Sequence, residues 1–193
     1  MLKILMRLFS KRATKRLKNG DCKMLAEQLV GERPVNIRDV EQIRDRVSLF
    51  GALDNSQLST LLSYAKEQAF EEGEIIFEQG QLPSDIYILL SGKVDLRVIR
   101  DDFSAAHMTY VPGDCFGETA VIGIQTQMGR AKVEEDVRVL TLSRFSLLDM
   151  LENDANLFGI LMMNIAREVS RRFHFTINTS ISPVEVDSLQ ACH

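Results

Sequence analysis

Closely spaced glycine residues divide the middle of the chain into short segments, and this restricts the fold more than any other feature. Residues 93–98 alternate apolar with polar side chains, as a half-buried strand does. Asp101 and Asp102 mark the predicted tip of a hairpin. Several short strands separated by glycine turns predict a barrel or a sandwich. The glycines are Gly73, Gly80, Gly92 and Gly113, and the alternating apolar residues are Val94, Leu96 and Val98.

Helical patterns lie on both sides of this strand region. A helix is predicted over residues 37–49, and another begins after Asp54, whose side chain is suited to cap it. After a further strand at residues 137–142, Ser143 and Asp154 are expected to cap a helix through Leu151 and a longer helix through about Phe173. The apolar stripe of the last helix is wider than one buried face requires, so we expect it to contact a partner. The residues of this predicted interface are Leu157, Leu161, Met162, Ile165, Val169 and Phe173.

Charge is distributed unevenly along the chain. The net charge is −4, but residues 1–23 carry eight basic side chains and one acidic side chain, which leaves the remainder at −11. Within the basic segment, Leu2, Leu5, Met6 and Phe9 recur at helical spacing. Three interpretations stay open for residues 1–18: contact with an anionic membrane surface, a mobile basic tail, or a helix packed on its own domain. We treat residues 1–35 as a basic N-terminal extension with short helices.

The expected location is the cytoplasm, with the periphery of a membrane as the alternative. No apolar run approaches the roughly 20 residues that a bilayer-spanning helix needs. Lys3 and Arg7 interrupt the apolar start, and no cleavage site of small residues follows, which argues against a signal peptide.

Cysteine and histidine usage argues against catalysis and metal binding. The three cysteines and three histidines are dispersed, and none has a partner at metal-ligand or nucleophile spacing. We therefore predict no enzyme, no metal site and no cofactor. These residues are Cys22, Cys115, Cys192, His107, His174 and His193.

Two blocks of sequence resemble the cyclic-nucleotide-binding domain family. They read "FEEGEIIFEQGQLPSDIYILLSGKVDL" and "PGDCFGETA", with their glycines in the order and spacing of the family. The resemblance covers residues 36–174 and implies an α+β, mainly β fold: a double-stranded β-helix, or jelly-roll barrel, flanked by N-terminal helices and two C-terminal helices. Residues 175–193 would then form a flexible tail. The last helix resembles the dimerisation helix of the family, which implies a homodimer.

The second block resembles the entry of the phosphate-binding cassette, the segment that holds the cyclic phosphate in this family. The resemblance implies that backbone N–H groups and one arginine hold the phosphate, while the glutamate accepts a hydrogen bond from the ribose 2′-hydroxyl. Phe116, Gly117, Glu118 and Ala120 match the family pattern F-G-E-L-A-L, and Thr119 replaces an aliphatic residue.

Two residues are candidates for the arginine position of the cassette, and the alignment decides between them. Aligned without gaps, the family pattern P-R-A-A-T-V places Gln127 at the arginine position and turns Ala131 and Val133 inward on the next strand. Arg130 then has the opposite parity, and its side chain is expected on the other face of that strand. An insertion before Arg130 with a compensating deletion after it would instead make Arg130 the phosphate ligand.

Two functions follow from these two registers. The first is a non-enzymatic regulatory or adaptor module that acts through protein–protein contacts and binds cyclic AMP or cyclic GMP weakly or not at all. The alternative is a genuine cyclic-nucleotide receptor that uses Glu118 and Arg130 and transmits binding through the C-terminal helix. Nucleic acid is not an expected partner, because residues 176–193 contain no Lys or Arg and are too short for the helix-turn-helix domain of many bacterial relatives.

Overall fold

The computed structural model describes residue 35, residues 37–100 and residues 103–180. The described residues do not include residues 1–34 of the basic extension, with the predicted membrane contact of residues 1–18, nor the hairpin tip at residues 101–102, nor residues 181–193. One compact unit begins at Pro34. No described helix is long and apolar enough to cross a bilayer.

The N-terminal side of this unit is helical. Helix α1 (Ile37–Ile43) is followed by two short 3-10 turns (Arg44–Arg46 and Ser48–Phe50) and by helix α2 (Asn55–Tyr64). The predicted helix over residues 37–49 is therefore shorter than expected, because Val47 adopts an extended conformation between the two turns and Leu49 and Phe50 are buried. The predicted cap is confirmed: the Asp54 carboxylate accepts a hydrogen bond from the backbone N–H of Gln57 at 2.8 Å.

Six strands form one antiparallel sheet. They are β1 (Lys66–Phe70), β2 (Ile75–Phe77), β3 (Asp85–Arg100), β4 (Phe103–Tyr110), β5 (Cys115–Phe116) and β6 (Arg130–Ser143). The main order is β1-β6-β3-β4, with β2 paired to β6 and β5 paired to β3, so the sheet is not closed. The predicted strand at residues 137–142 is the second half of β6, and β3 and β4 pair up to Arg100 and Phe103 on either side of the predicted hairpin tip.

The first half of β3 is buried on both faces. Ile86 and Ile88 pack in a core that includes the helices, whereas Tyr87 and Leu89 pack in a second core between the strands. Gly92 then separates two registers of the β3–β6 pairing, with φ +82°, and a Cβ at this position would lie 2.1 Å from the carbonyl oxygen of Asp136. Only glycine fits so close an approach of two backbones.

Three further helices are described, one before β6 and two after it. Helix α3 (Glu118–Gly123) lies in the cassette, helix α4 (Arg144–Asn153) begins after Ser143, and helix α5 (Ala155–Ser180) follows Asp154. Both predicted caps are confirmed, since the Ser143 hydroxyl accepts from Ser146 N–H at 3.0 Å and the Asp154 carboxylate accepts from Leu157 N–H at 2.9 Å. The last helix runs to Ser180, so the first residues of the predicted tail are helical.

Candidate functional site

Phe116 and Gly117 form the base of the cassette. The Phe116 ring is fully buried and stacks on Tyr110 and Tyr87, with centroid distances of 4.9 and 5.1 Å. Gly117 has φ +80°, and a Cβ there would lie 3.0 Å from the carbonyl oxygen of Asp85. The tight turn therefore requires glycine and fixes the direction in which Glu118 enters α3.

Glu118 is a buried carboxylate whose two oxygens differ in their hydrogen bonding. The residue is about 1% exposed, and Oε1 accepts a hydrogen bond from Nη1 of Arg172 at 2.9 Å. Oε2 has no hydrogen-bond partner among the described residues. Burial raises the pKa of Glu118, and the positive charge of Arg172 opposes that shift only in part.

Arg172 connects the last helix to the cassette. Besides Glu118, its Nη2 donates to the carbonyl oxygen of Cys115 at 2.5 Å, and its Nε lies 2.8 Å from Oε1 of Glu168. The guanidinium carbon lies 5.6 Å from the ring centroid of Tyr110. One side chain thus joins α5 to β4, β5 and α3, and its charge is balanced by two carboxylates.

Glu168 is the second carboxylate of this network. Burial alone would raise the pKa of Glu168, but hydrogen bonds from Arg171 and Ser48 and the charge of Arg172 outweigh it and hold the pKa below its usual range. Arg171 donates to Oε2 of Glu168 at 2.6 Å. The sequence interpretation missed this network, although Glu168 and Arg172 at i, i+4 on an apolar helix were a usable signal.

Gln127 lies in the loop before β6. Its backbone N–H donates to the carbonyl oxygen of Gln81, and its own carbonyl accepts from Gly80 N–H, both at 2.9 Å. The residue is about 6% exposed. The loop that carries Gln127 is therefore fixed by backbone hydrogen bonds to the turn before β3, and the side chain that it buries is uncharged.

Arg130 lies at the start of β6 and turns away from the interior. Its Nε lies 2.7 Å from Oε2 of Glu78, and about 45% of its side chain is exposed. The next residue, Ala131, is completely buried, as is Val133. Arg130 and Ala131 thus occupy opposite faces of the strand, as the alignment without gaps predicts.

The two remaining residues of the predicted cassette, Thr119 and Ala120, differ in burial. Ala120 is buried, whereas Thr119 is exposed. The structure thus brings Glu118 together with Arg172 and leaves Arg130 bound to Glu78.

Within residues 35, 37–100 and 103–180, no group of three His, Cys, Asp or Glu side chains is arranged to hold a metal ion.

The predicted interface on the last helix is narrower than the sequence indicated. Leu157, Leu161 and Ile165 are buried in the core with α2 and α4, so a partner could not reach them. Val169 is about 36% exposed and Phe173 about 62% exposed. Met162 is partly buried against the same core.

Comparison with known proteins identifies relatives of this fold. The family model of the cyclic nucleotide-binding domain matches residues 67–154. Potassium channel KAT1 from Arabidopsis thaliana is 28% identical over 134 residues, and the cyclic AMP receptor protein from Thermus thermophilus is 28% identical over 127 residues. These alignments cover 69% and 64% of this chain but only 20% and 56% of the two relatives.

A solved structure agrees with the sequence matches. The Thermus thermophilus catabolite activator protein superposes with a TM-score of 0.61 at 26% identity, over 68% of this chain and 61% of that chain. The predicted β-roll with flanking helices is confirmed.

Proposed function

We propose, from the match of residues 67–154 to the family model of the cyclic nucleotide-binding domain, that the chain is a non-enzymatic regulatory module that binds cyclic AMP and cyclic GMP weakly or not at all. In this proposal the β-roll is a scaffold, and the module acts through contacts with other proteins. The observation that supports it most directly is the charge around Glu118.

A cyclic phosphate needs a cation that is free to bind it. Arg172 is the cation that contacts Glu118, and it already lies against two carboxylates, Glu118 and Glu168. Arg130 is paired with Glu78, and Gln127 is neutral. Hydrogen bonds to charged groups contribute roughly 1.5–3 kcal/mol each, so losing one or two of them weakens binding by about 10-fold to 1000-fold or more.

Isothermal titration of the purified chain with cyclic AMP and cyclic GMP tests this proposal. We expect no saturable heat below about 100 μM of either nucleotide. Arg130→Ala is the matched variant, and we expect the same result for it, because its guanidinium binds Glu78. Micromolar or tighter affinity of the unmodified chain would refute the proposal.

The alternative function, a cyclic-nucleotide receptor, is favoured by the Gly117–Glu118 entry of the cassette and by Oε2 of Glu118, which no described donor contacts. It requires Arg130 to leave Glu78 and to reach the phosphate. The same titration decides between the two functions, because a receptor of this kind would bind tightly and would lose that affinity on Arg130→Ala.

The exposed end of the last helix supports a protein contact. Val169 and Phe173 lie one helical turn apart on α5 and are exposed, together with Phe175. We propose that two copies of the chain pair through this part of α5, as the resemblance implies. Val169 and Phe173, four residues apart on one face of α5, form an exposed apolar strip that is suited to helix pairing.

Light scattering at increasing protein concentration measures this pairing. We expect a dimer for the unmodified chain and a monomer for Phe173→Asp, because a carboxylate in the strip would lose its hydration. Phe145→Asp, an equally exposed phenylalanine on α4, is the control and should remain a dimer. A monomer for the unmodified chain at all concentrations, or a dimer that survives Phe173→Asp, would contradict the pairing.

A further inference from the structure

Strand β4 lies at an edge of the sheet. Among the described residues it pairs with β3 and with no other strand, so its far side offers backbone N–H and C=O groups for pairing. His107, Met108 and Thr109 are all exposed, although successive side chains of a strand point to opposite faces. The edge is therefore open on both faces over these residues, and another extended segment can lie beside it.

This edge lacks the protection that other edges of the sheet have. Where β6 ends beside β3, the side-chain amide of Gln79 exchanges two hydrogen bonds of 2.9 Å with the backbone of Ile99 and so covers that edge. Edge strand β1 begins with the exposed charge of Lys66. In contrast, β4 contains no Asp, Glu, Lys, Arg or Pro, the residues that usually keep other strands from an edge. A register shift interrupts its first half only, so residues 106–110 present an unprotected, regular edge.

The two faces of β4 differ in chemistry. Met108 is exposed on the face that continues into the apolar core between the strands. On the opposite face, the side chains of His107 and Arg97 are each about 52% exposed, whereas those of Asp95 and Glu134, which pair with them, are about 8% and 30% exposed. The exposed charge of this face is thus mainly basic. A strand that fits this edge has apolar side chains on the first face and acidic side chains on the second.

The sequence after α5 has this pattern, in residues that lie outside the described part of the chain. Val184 and Val186 alternate with Glu185 and Asp187. Alternate residues of a strand share a face, so the two valines would lie on one face and the two carboxylates on the other. Valine is also among the residues that favour strands. The segment therefore matches the faces of β4 in both polarity and charge.

This segment can reach β4 within one chain. The guanidinium carbon of Arg172 lies 5.6 Å from the ring centroid of Tyr110, the last residue of β4, so α5 passes the end of that strand. From Arg172 to Ser180 the helix spans about 12 Å, at 1.5 Å per residue. The extended chain from Ser180 to Val186 spans up to about 20 Å, at about 3.3 Å per residue. The longer span allows the chain to return from the end of α5 to β4.

We propose that residues 184–187 pair with β4 of the same chain as an added strand, with the two valines on the Met108 face and the two carboxylates on the His107 face. The segment then occupies an edge that an extended segment of another protein could otherwise use. This goes beyond the proposed regulatory function, because it gives the module a strand-binding surface that its own sequence keeps closed and that a competing strand opens.

Hydrogen exchange of the β4 amides in the full chain tests this pairing. A paired strand protects the N–H groups that point away from β3, whereas water reaches them on an uncovered edge. Successive N–H groups of a strand point to opposite sides, so replacing both Glu185 and Val186 by proline removes a hydrogen bond to β4 in either register. We expect these β4 amides to exchange about tenfold faster or more in that double variant. Proline at both Gln190 and Ala191, outside the proposed strand, is the matched control and should leave exchange unchanged.

A synthetic peptide of residues 181–193 supplies a second measurement. Added at about 1 mM to the double variant, it should slow exchange of the same amides, whereas a peptide with the two prolines should not. If the β4 amides exchange equally fast in the unmodified chain and in the double variant, the segment does not cover the edge and the proposal is overturned. If the protection in the unmodified chain is lost on dilution, a second copy supplies the strand and the pairing within one chain is overturned.

Discussion

Replacing Gln127 by arginine is expected to increase the affinity of the domain for cyclic AMP by about 10-fold to 1000-fold. The ungapped register predicts that Gln127 takes the position of the arginine in the family pattern, and the structure places it in a loop that two backbone hydrogen bonds hold against the turn before β3. A guanidinium group at this position would be a free cation, because the acidic partners of Arg172 and Arg130 are already engaged. Isothermal titration of Gln127→Arg with cyclic AMP measures the gain.

Two variants control for this gain: one places an uncharged side chain at the same position, and the other places the positive charge one residue later. Gln127→Leu changes the same buried side chain without adding charge and is expected to bind no better than the unmodified chain. Met128→Arg places the charge one residue later, on a side chain that is about 68% exposed, and should give little gain. Equal affinity of Gln127→Arg and Gln127→Leu would show that Gln127 does not face the phosphate, whereas a gain with Met128→Arg alone would show that the register is shifted.

The local features of the fold were readable from the sequence because each has a local physical cause. Asp54, Ser143 and Asp154 cap their helices as expected, since an N-cap depends only on the few residues after it. The parity of Arg130 and Ala131 on β6 also agrees with the ungapped register, because side chains alternate along any strand. Helix α5 extends past the predicted end near Phe173 to at least Ser180, since no glycine or proline lies between Phe173 and Ser180 to end it earlier.

The pairing of distant residues was not readable in the same way. Arg172 and Glu118 are 54 residues apart, and nothing near either residue indicates that they meet. The division of the α5 stripe between the core and the surface likewise depends on where α2 and α4 pack, so Leu157 and Phe173 looked equivalent in the sequence. Tertiary packing determines both features, and a periodic pattern alone does not contain it.

Removal of the Arg172 guanidinium is expected to have the largest effect on stability. Arg172→Met should lower the free energy of unfolding by about 3–5 kcal/mol at neutral pH, because the change leaves Glu118 as a buried charge without its partner. The side chain of Arg172 is about 24% exposed and that of Glu118 about 2% exposed, so water cannot replace the lost contact. Urea unfolding monitored by circular dichroism measures the difference.

This deficit should depend on pH in a defined direction. Burial already raises the pKa of Glu118, and loss of Arg172 raises it further, so the folded variant holds the proton more tightly than the unfolded chain does. The deficit is then complete above the raised pKa of Glu118 in the folded variant, and it shrinks as the pH falls through that pKa towards the ordinary carboxylate value of about 4.3. Loss of Arg172 also removes a charge that lowers the pKa of Glu168, an effect that fades in acid in the same direction.

Two further variants isolate the buried pair as the cause. Arg130→Met removes a guanidinium from an ion pair in which both side chains are nearly half exposed, and should cost no more than about 1 kcal/mol because surface ion pairs contribute little. Glu118→Gln combined with Arg172→Met removes the buried charge together with its partner and should recover most of the stability lost by Arg172→Met alone. If Arg172→Met were no more destabilising than Arg130→Met, or if its deficit grew as the pH fell, Arg172 could not be compensating a buried charge on Glu118.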